Sequence, residues 1–191
     1  MISDKKNSKK EHILEAAFAC ISTKGYANVS LRDIADEAGV VLSQLNYYYT
    51  NKEGLFIEIV KTLAKIHLAE MERYLSMSTS SDEKLASLMY YFKETLKNNP
   101  EVFKILFDLT SMALWSNKLN FLITELLDDM ATIIDDHIKE IVNINPKYSA
   151  KSSKEISQLL LSMVLGISLQ SMFSIDESEQ FELLSTITTL K

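Results

Sequence analysis

The stretch Leu31 to Lys52, LRDIADEAGVVLSQLNYYYTNK, constrains this chain more than any other part of it. Leu31, Ile34, Ala35 and Ala38 recur at the spacing of one apolar helix face. Gly39 follows at once and suits the left-handed backbone that ends a helix, with Val40 placed to plug the corner. A second short unit, Leu42 to Tyr48, has Leu45 as its one clear inward anchor, and its other positions include Ser43, Gln44, Asn46, Tyr47 and Tyr48. Two short helices around a tight glycine turn form a helix-turn-helix, whose second helix fits the major groove of DNA. A plain helical hairpin shares that spacing. The polar, tyrosine-rich outer face of the second unit points towards DNA.

The rest of the chain narrows the fold to all-α. Only four glycines and two prolines occur in 191 residues, too few for a turn-rich β protein. Nearly half the residues, 47%, are hydrophobic, enough for a sizeable core. A lone Cys20 excludes an internal disulfide framework and fits a reducing cytoplasm; a small buried residue is expected there. No apolar run approaches the ~20 residues of a membrane span. The net charge of −6 opposes nucleic-acid binding as a sum, but it is unevenly spread. Residues 1–65 carry nine Lys/Arg against eight Asp/Glu, whereas residues 66–191 carry eleven against eighteen. Affinity for DNA would therefore rest on placed charges rather than on a general field.

Ahead of the central stretch, Lys5, Lys6, Lys9 and Lys10 read as a flexible basic arm able to touch phosphate. A first helix is expected from about Ser8, as cap, to Lys24, with Gly25 ending it and Tyr26 and Val29 packing beneath the next unit. Ser30 is a natural N-cap whose hydroxyl suits a phosphate. Asn51 can cap a long helix running from Lys52 to about Leu75. A lysine at a helix start opposes the helix dipole, which a DNA phosphate facing Lys52 would explain.

The pattern ILEAAF…KGYANVSLRDIADEAGV…LNYYYTNKEGLF resembles the TetR family of bacterial transcriptional regulators over roughly residues 10–60. The resemblance implies a three-helix DNA-binding domain over 1–51 and a variable helical ligand-binding and dimerisation domain over 52–191, joined through the 52–75 helix. It places DNA contacts on Ser30, Arg32, Ser43, Gln44, Tyr47, Tyr48 and Lys52, with Asn46 a further candidate and Gln44 the foremost reader of bases. It also implies a homodimer on a palindromic operator, released by a small molecule. The chain departs from the family pattern at Val41, where a small hydroxyl residue is usual, at Ser43 (glycine), at Asn46 (tyrosine) and at Tyr49 (phenylalanine).

Beyond residue 76 the chain reads as further helices. One carries Leu85, Leu88, Met89, Phe92 and Leu96, and a break at Asn98-Asn99-Pro100 follows it. Glu101 to Trp115 then holds more apolar residues than one stripe needs, and part of it is expected to line an apolar pocket. The pocket candidates are Met89, Phe92, Phe103, Phe107, Met112, Trp115, Met130 and Phe173. A helix from Asn117 or Lys118 to about Asn143 comes next, then a loop to Ser153, a helix over 153–174 and a last one over about 177–190. The 153–174 helix is apolar nearly all round and needs cover on two sides. A partner subunit is the expected second cover, through Leu126, Ile133, Leu161, Leu165, Leu169 and Met172.

No HExxH, CxxC, phosphate-loop or GxSxG pattern occurs, so neither an enzyme nor a cofactor is expected. Asp128, Asp129, Asp135, Asp136, His137 and Glu140 do not converge on one face, and a solvated surface explains them better than a metal site. The competing function is a helical protein-interaction module that no longer serves DNA.

Overall fold

The computed structural model describes residues 2–78, 80–144 and 152–173. These are all-α, with no strand among them. The order is α1 (Ile2–Lys24), a 3₁₀ turn (Tyr26–Asn28), α2 (Leu31–Glu37), α3 (Leu42–Tyr48), α4 (Lys52–Ser76), α5 (Ser81–Asn98), α6 (Pro100–Ala113), α7 (Asn117–Ile144) and α8 (Ser153–Ser171). Pro100 opens α6, where its missing N–H removes no helical hydrogen bond. The expected helix over 177–190 lies outside the described residues, as does most of the loop before Ser152.

The helix starts obey a common local rule. Ser30, Ser80 and Ser152 each accept a hydrogen bond from the amide three residues on, and the acid at that position binds back to the serine amide. These reciprocal boxes satisfy two otherwise orphaned donors each. Asn51 caps α4 more simply, its Oδ1 accepting from the Gly54 amide at 2.7 Å. The flexible arm expected at the N-terminus is replaced by helix: α1 already begins at Ile2, and Ser8 lies within it. No glycine or proline interrupts residues 2–24, and the Lys, Glu and Ala there are good helix formers.

The chain divides into two compact units. The first comprises residues 1–64 and 104–123, more than the 1–51 expected of the N-terminal domain, because the last ten residues of α6 and the start of α7 pack within it. Ile13, Ala17, Ile21, Ile34, Leu45, Leu55, Phe56, Ile59, Leu109 and Leu119 are buried at its centre, each 1% exposed or less. Leu14 and Phe18, expected in the same stripe, are half-buried and border an open apolar groove of about 180 Å³ with Ile59 and Leu63. Cys20 is buried as expected, and burial pushes its thiol pKa up.

The second unit comprises residues 65–103 and 124–191. Met71, Leu75, Leu88, Phe92, Ile134 and Val164 are among its buried residues. His67 on α4 meets the Tyr91 hydroxyl of α5 at 3.1 Å, while that hydroxyl donates back to the His67 carbonyl at 3.0 Å. Burial lowers the His67 pKa, and Glu70 opposes that shift. His137 on α7 lies 3.0 Å from Glu72 on α4. Among the described residues of this unit, Asp135 Oδ1 and Ser168 Oγ are buried without a hydrogen-bond partner.

Candidate nucleic-acid interface

The turn between α2 and α3 is built on glycine. Gly39 has φ +60°. The Val40 amide donates to the Ala35 carbonyl at 2.9 Å, and the Gly39 amide to Asp36 at 3.1 Å. This paired pattern closes the helix end and turns the chain sharply. Val40, half-buried, sits at the corner as expected. Val41, the N-cap residue ahead of α3, makes no side-chain cap, as the absence of the usual hydroxyl there requires.

Burial sorts the faces of α3. Leu45 is fully buried and Tyr49, just past the helix, is 4% exposed. Ser43, Asn46 and Tyr47 are exposed, and their spacing puts them on one outward face. Gln44 and Tyr48 are half-buried on its flank. Gln44, the foremost expected base reader, thus lies beside the exposed Asn46, which the sequence does not place. Tyr47 is 69% exposed and meets Tyr48 edge-on, with ring centroids 5.1 Å apart. Arg32 is exposed on α2 beside Asp33, Asp36 and Glu37.

Two expected phosphate contacts have internal partners. The Ser30 hydroxyl donates to Asp33 Oδ2 at 2.6 Å, and the Ser30 amide donates to the same oxygen at 2.7 Å. These bonds hold the Asp33 carboxyl below the usual carboxylate range. A phosphate at this helix start would meet that carboxylate. Lys52 departs further from expectation. Its Nζ donates to the carbonyls of Tyr26 and Val29, both at 2.7 Å, and stands 4.1 Å from the Tyr26 ring centre. The ammonium thus closes the turn ahead of α2, a cation placed against two carbonyls at the end of the 3₁₀ turn, and its unusual position in α4 has a structural cause. Burial lowers its pKa.

Sequence reasoning missed two supports of this interface. Lys10 on α1 forms a 3.2 Å salt bridge with Glu58 on α4 and lies 5.8 Å from the Tyr49 ring centre. The Tyr49 hydroxyl beneath it is buried without a partner, and its pKa is pushed up to about 12 by burial and by Glu58. The Tyr26 amide donates to Asp108 Oδ2 on α6 at 2.8 Å, across 82 residues of sequence. An unusual tyrosine at 49 hinted at the first; nothing local signals the second.

Residues 13–59, the segment that builds this interface, match the model of the bacterial regulatory proteins of the tetR family. Over those residues the chain is similar to the TetR family. It is 29% identical over 133 residues to the HTH-type transcriptional regulator RutR of Escherichia coli K12, a match covering 68% of this chain and 58% of RutR. Its fold is that of a transcriptional regulator from Saccharomonospora viridis solved in complex with choline (TM-score 0.83, 17% identity, 97% of both chains). It is also that of the fatty acid degradation regulator FadR from Bacillus halodurans (TM-score 0.76, 19% identity, 95% of this chain and 93% of that one).

The other expected sites fare unevenly. Trp115 and Phe173, expected in an apolar pocket, are 90% and 81% exposed. Trp115 falls in the turn after α6. Of the remaining pocket candidates, Met89, Phe92 and Phe103 are buried and Met130 is half-buried in the second unit, whereas Phe107 and Met112 belong to the first. On α8 the buried stripe is Ser157, Leu161, Val164, Ser168 and Ser171. Leu161, expected at a partner contact, is among these buried residues. Leu169 is exposed, and Leu126, Ile133, Leu165 and Met172 are half-buried. Leu159 and Met163 are open alongside them. Among the described residues no group of three or more His, Cys, Asp or Glu is gathered as for a metal. None of the described helices is long and apolar enough to cross a membrane.

Proposed function

We propose that this protein is a homodimeric DNA-binding transcriptional repressor whose helix-turn-helix reads a palindromic operator. The observation that carries the proposal is the outward face of α3, where Ser43, Asn46 and Tyr47 stand exposed on a helix anchored by Leu45. Asparagine reads adenine in the major groove, and serine and tyrosine bind bases or phosphates. Arg32 supplies a phosphate contact, and Gln44 and Tyr48 add flanking ones. Ser30 and Lys52 serve chiefly to shape the turn, with one Lys52 N–H left to reach a phosphate.

A dimer would set two such helices about one DNA turn apart, roughly 34–36 Å. The apolar residues left open on α8, Leu159, Met163 and Leu169, support self-association through that helix. A small, largely apolar effector held near Met89, Phe92 and Phe103 would release the operator by preferring a different dimer state. The choline complex of one structural relative and the fatty acid degradation role named for another support a small-molecule effector. The cytoplasm is the compartment such a regulator would occupy.

The test is a gel shift with a duplex from the gene's own upstream region at low salt. The wild-type protein is expected to bind it far more tightly than a scrambled duplex, and Asn46→Ala with Tyr47→Ala together to abolish the preference. Equal binding to both duplexes by the wild type would overturn the proposal.

A further inference from the structure

Tyr26 is held from two directions by helices that each belong partly to the second unit. Its amide donates to the Asp108 carboxylate of α6 at 2.8 Å, and its carbonyl accepts from the Lys52 ammonium of α4 at 2.7 Å. The same ammonium also donates to the Val29 carbonyl at 2.7 Å, so it grips both ends of the 3₁₀ turn. The Tyr26 ring packs on Phe56 of α4 at 4.8 Å, tilted by 53°. Gly25, just before, has φ +77°, a backbone state that other residues adopt only with strain. Ser30, the cap of α2, follows Val29 directly. α4 continues past the first unit's limit at Ala64, and α6 begins before its other limit at Lys104.

We propose that Asp108 and Lys52 form an ionic clamp on Tyr26 that positions the helix-turn-helix, making Asp108 the residue through which α6 controls operator affinity. The inference rests on the DNA-binding reading above. A displacement of α6 that withdraws Asp108 leaves the Tyr26 amide without its acceptor. The turn before α2 is then held from α4 alone, and α2 and α3 lose a fixed orientation. Both groups are positioning residues: neither stands on the outward face of α3.

The test compares wild type with Asp108→Ala, which removes the acceptor, and Asp108→Asn, which keeps a carbonyl oxygen there. Amide hydrogen exchange in the DNA-free protein reads the clamp itself. Residues 26–38 are expected to exchange roughly tenfold faster in the alanine variant, the order expected for loss of one hydrogen bond to a charged group, and to be largely restored in the asparagine variant. Protection of α1 and of residues 55–60 should not change. A gel shift on the upstream duplex should show about a tenfold loss for Asp108→Ala, with binding to a scrambled duplex unaltered because the phosphate contacts remain. Unchanged exchange over 26–38, or loss spread evenly across the first unit, overturns the clamp. A wild type that ignores the upstream duplex overturns the DNA-binding reading, and the exchange result still decides the clamp.

Discussion

Replacing Tyr49 by phenylalanine should make this protein more stable, although it deletes a polar group. The Tyr49 side chain is 4% exposed and its hydroxyl has no hydrogen-bond partner. An orphaned buried hydroxyl costs about 1–3 kcal/mol. Removing the oxygen leaves a void on the order of 10 Å³, which at about 24 cal/mol per Å³ costs roughly 0.2 kcal/mol. The ring contact with Lys10 needs only the aromatic face and survives. A net gain of about 1–2 kcal/mol is expected, a rise in Tm of roughly 2–8 °C for a chain of this size. The gain should depend on pH in a definite sense. The folded protein holds Tyr49 protonated up to about pH 12, against an ordinary value of 10.0. Between those limits the unfolded chain loses the proton and the folded one keeps it, so wild type loses stability as pH rises from 10 to 12. The two-unit difference is worth up to about 2.7 kcal/mol, and the phenylalanine variant escapes it. Urea unfolding followed by circular dichroism at pH 7, 9 and 11 measures both effects. A variant no more stable than wild type at pH 7, with a difference that does not grow above pH 10, would refute the account.

Other expectations follow from single features. Gly39→Ala should destabilise by about 1–2 kcal/mol through its φ of +60° alone, since a Cβ there meets nothing within 4 Å; Gly39→Asn should cost less in the same unfolding assay. His67 is held neutral by burial, its folded pKa lying below the unfolded value, so stability should fall as pH drops below about 6.5. His67→Gln should flatten that slope in thermal melts between pH 5 and 7. Leu169→Glu should shift the protein towards monomer in analytical ultracentrifugation without unfolding it, because Leu169 is 41% exposed. Leu161→Ala, 5% exposed, should instead lower stability by about 2–5 kcal/mol.

Much of the fold was legible because its signals are local. Helical periodicity, Ser30 as cap, Gly39 as stop and Pro100 as start each act within a few residues, and all stand where the sequence placed them. The same locality explains what the sequence leaves out. Against its own helix Lys52 is a misfit; its partners at Tyr26 and Val29 lie 26 and 23 residues away. Asp108 looks like any surface acid of α6 until the chain folds back on Tyr26. The α8 faces were drawn from apolar residues, whereas the buried stripe takes in Ser157, Ser168 and Ser171, small enough for close packing. Periodicity reports that a helix has an inside; it does not report which of two apolar sides that is.

The division of labour on α3 carries an evolutionary consequence. Leu45 and Tyr49 join it to the core, while Ser43, Asn46 and Tyr47 stand exposed. On the proposed DNA-binding reading, exchanges at those three positions would alter what the helix presents to DNA while Leu45 and Tyr49 stay buried. A duplicated copy of this gene could therefore drift to a new operator through neutral steps in folding, each intermediate remaining a well-formed protein.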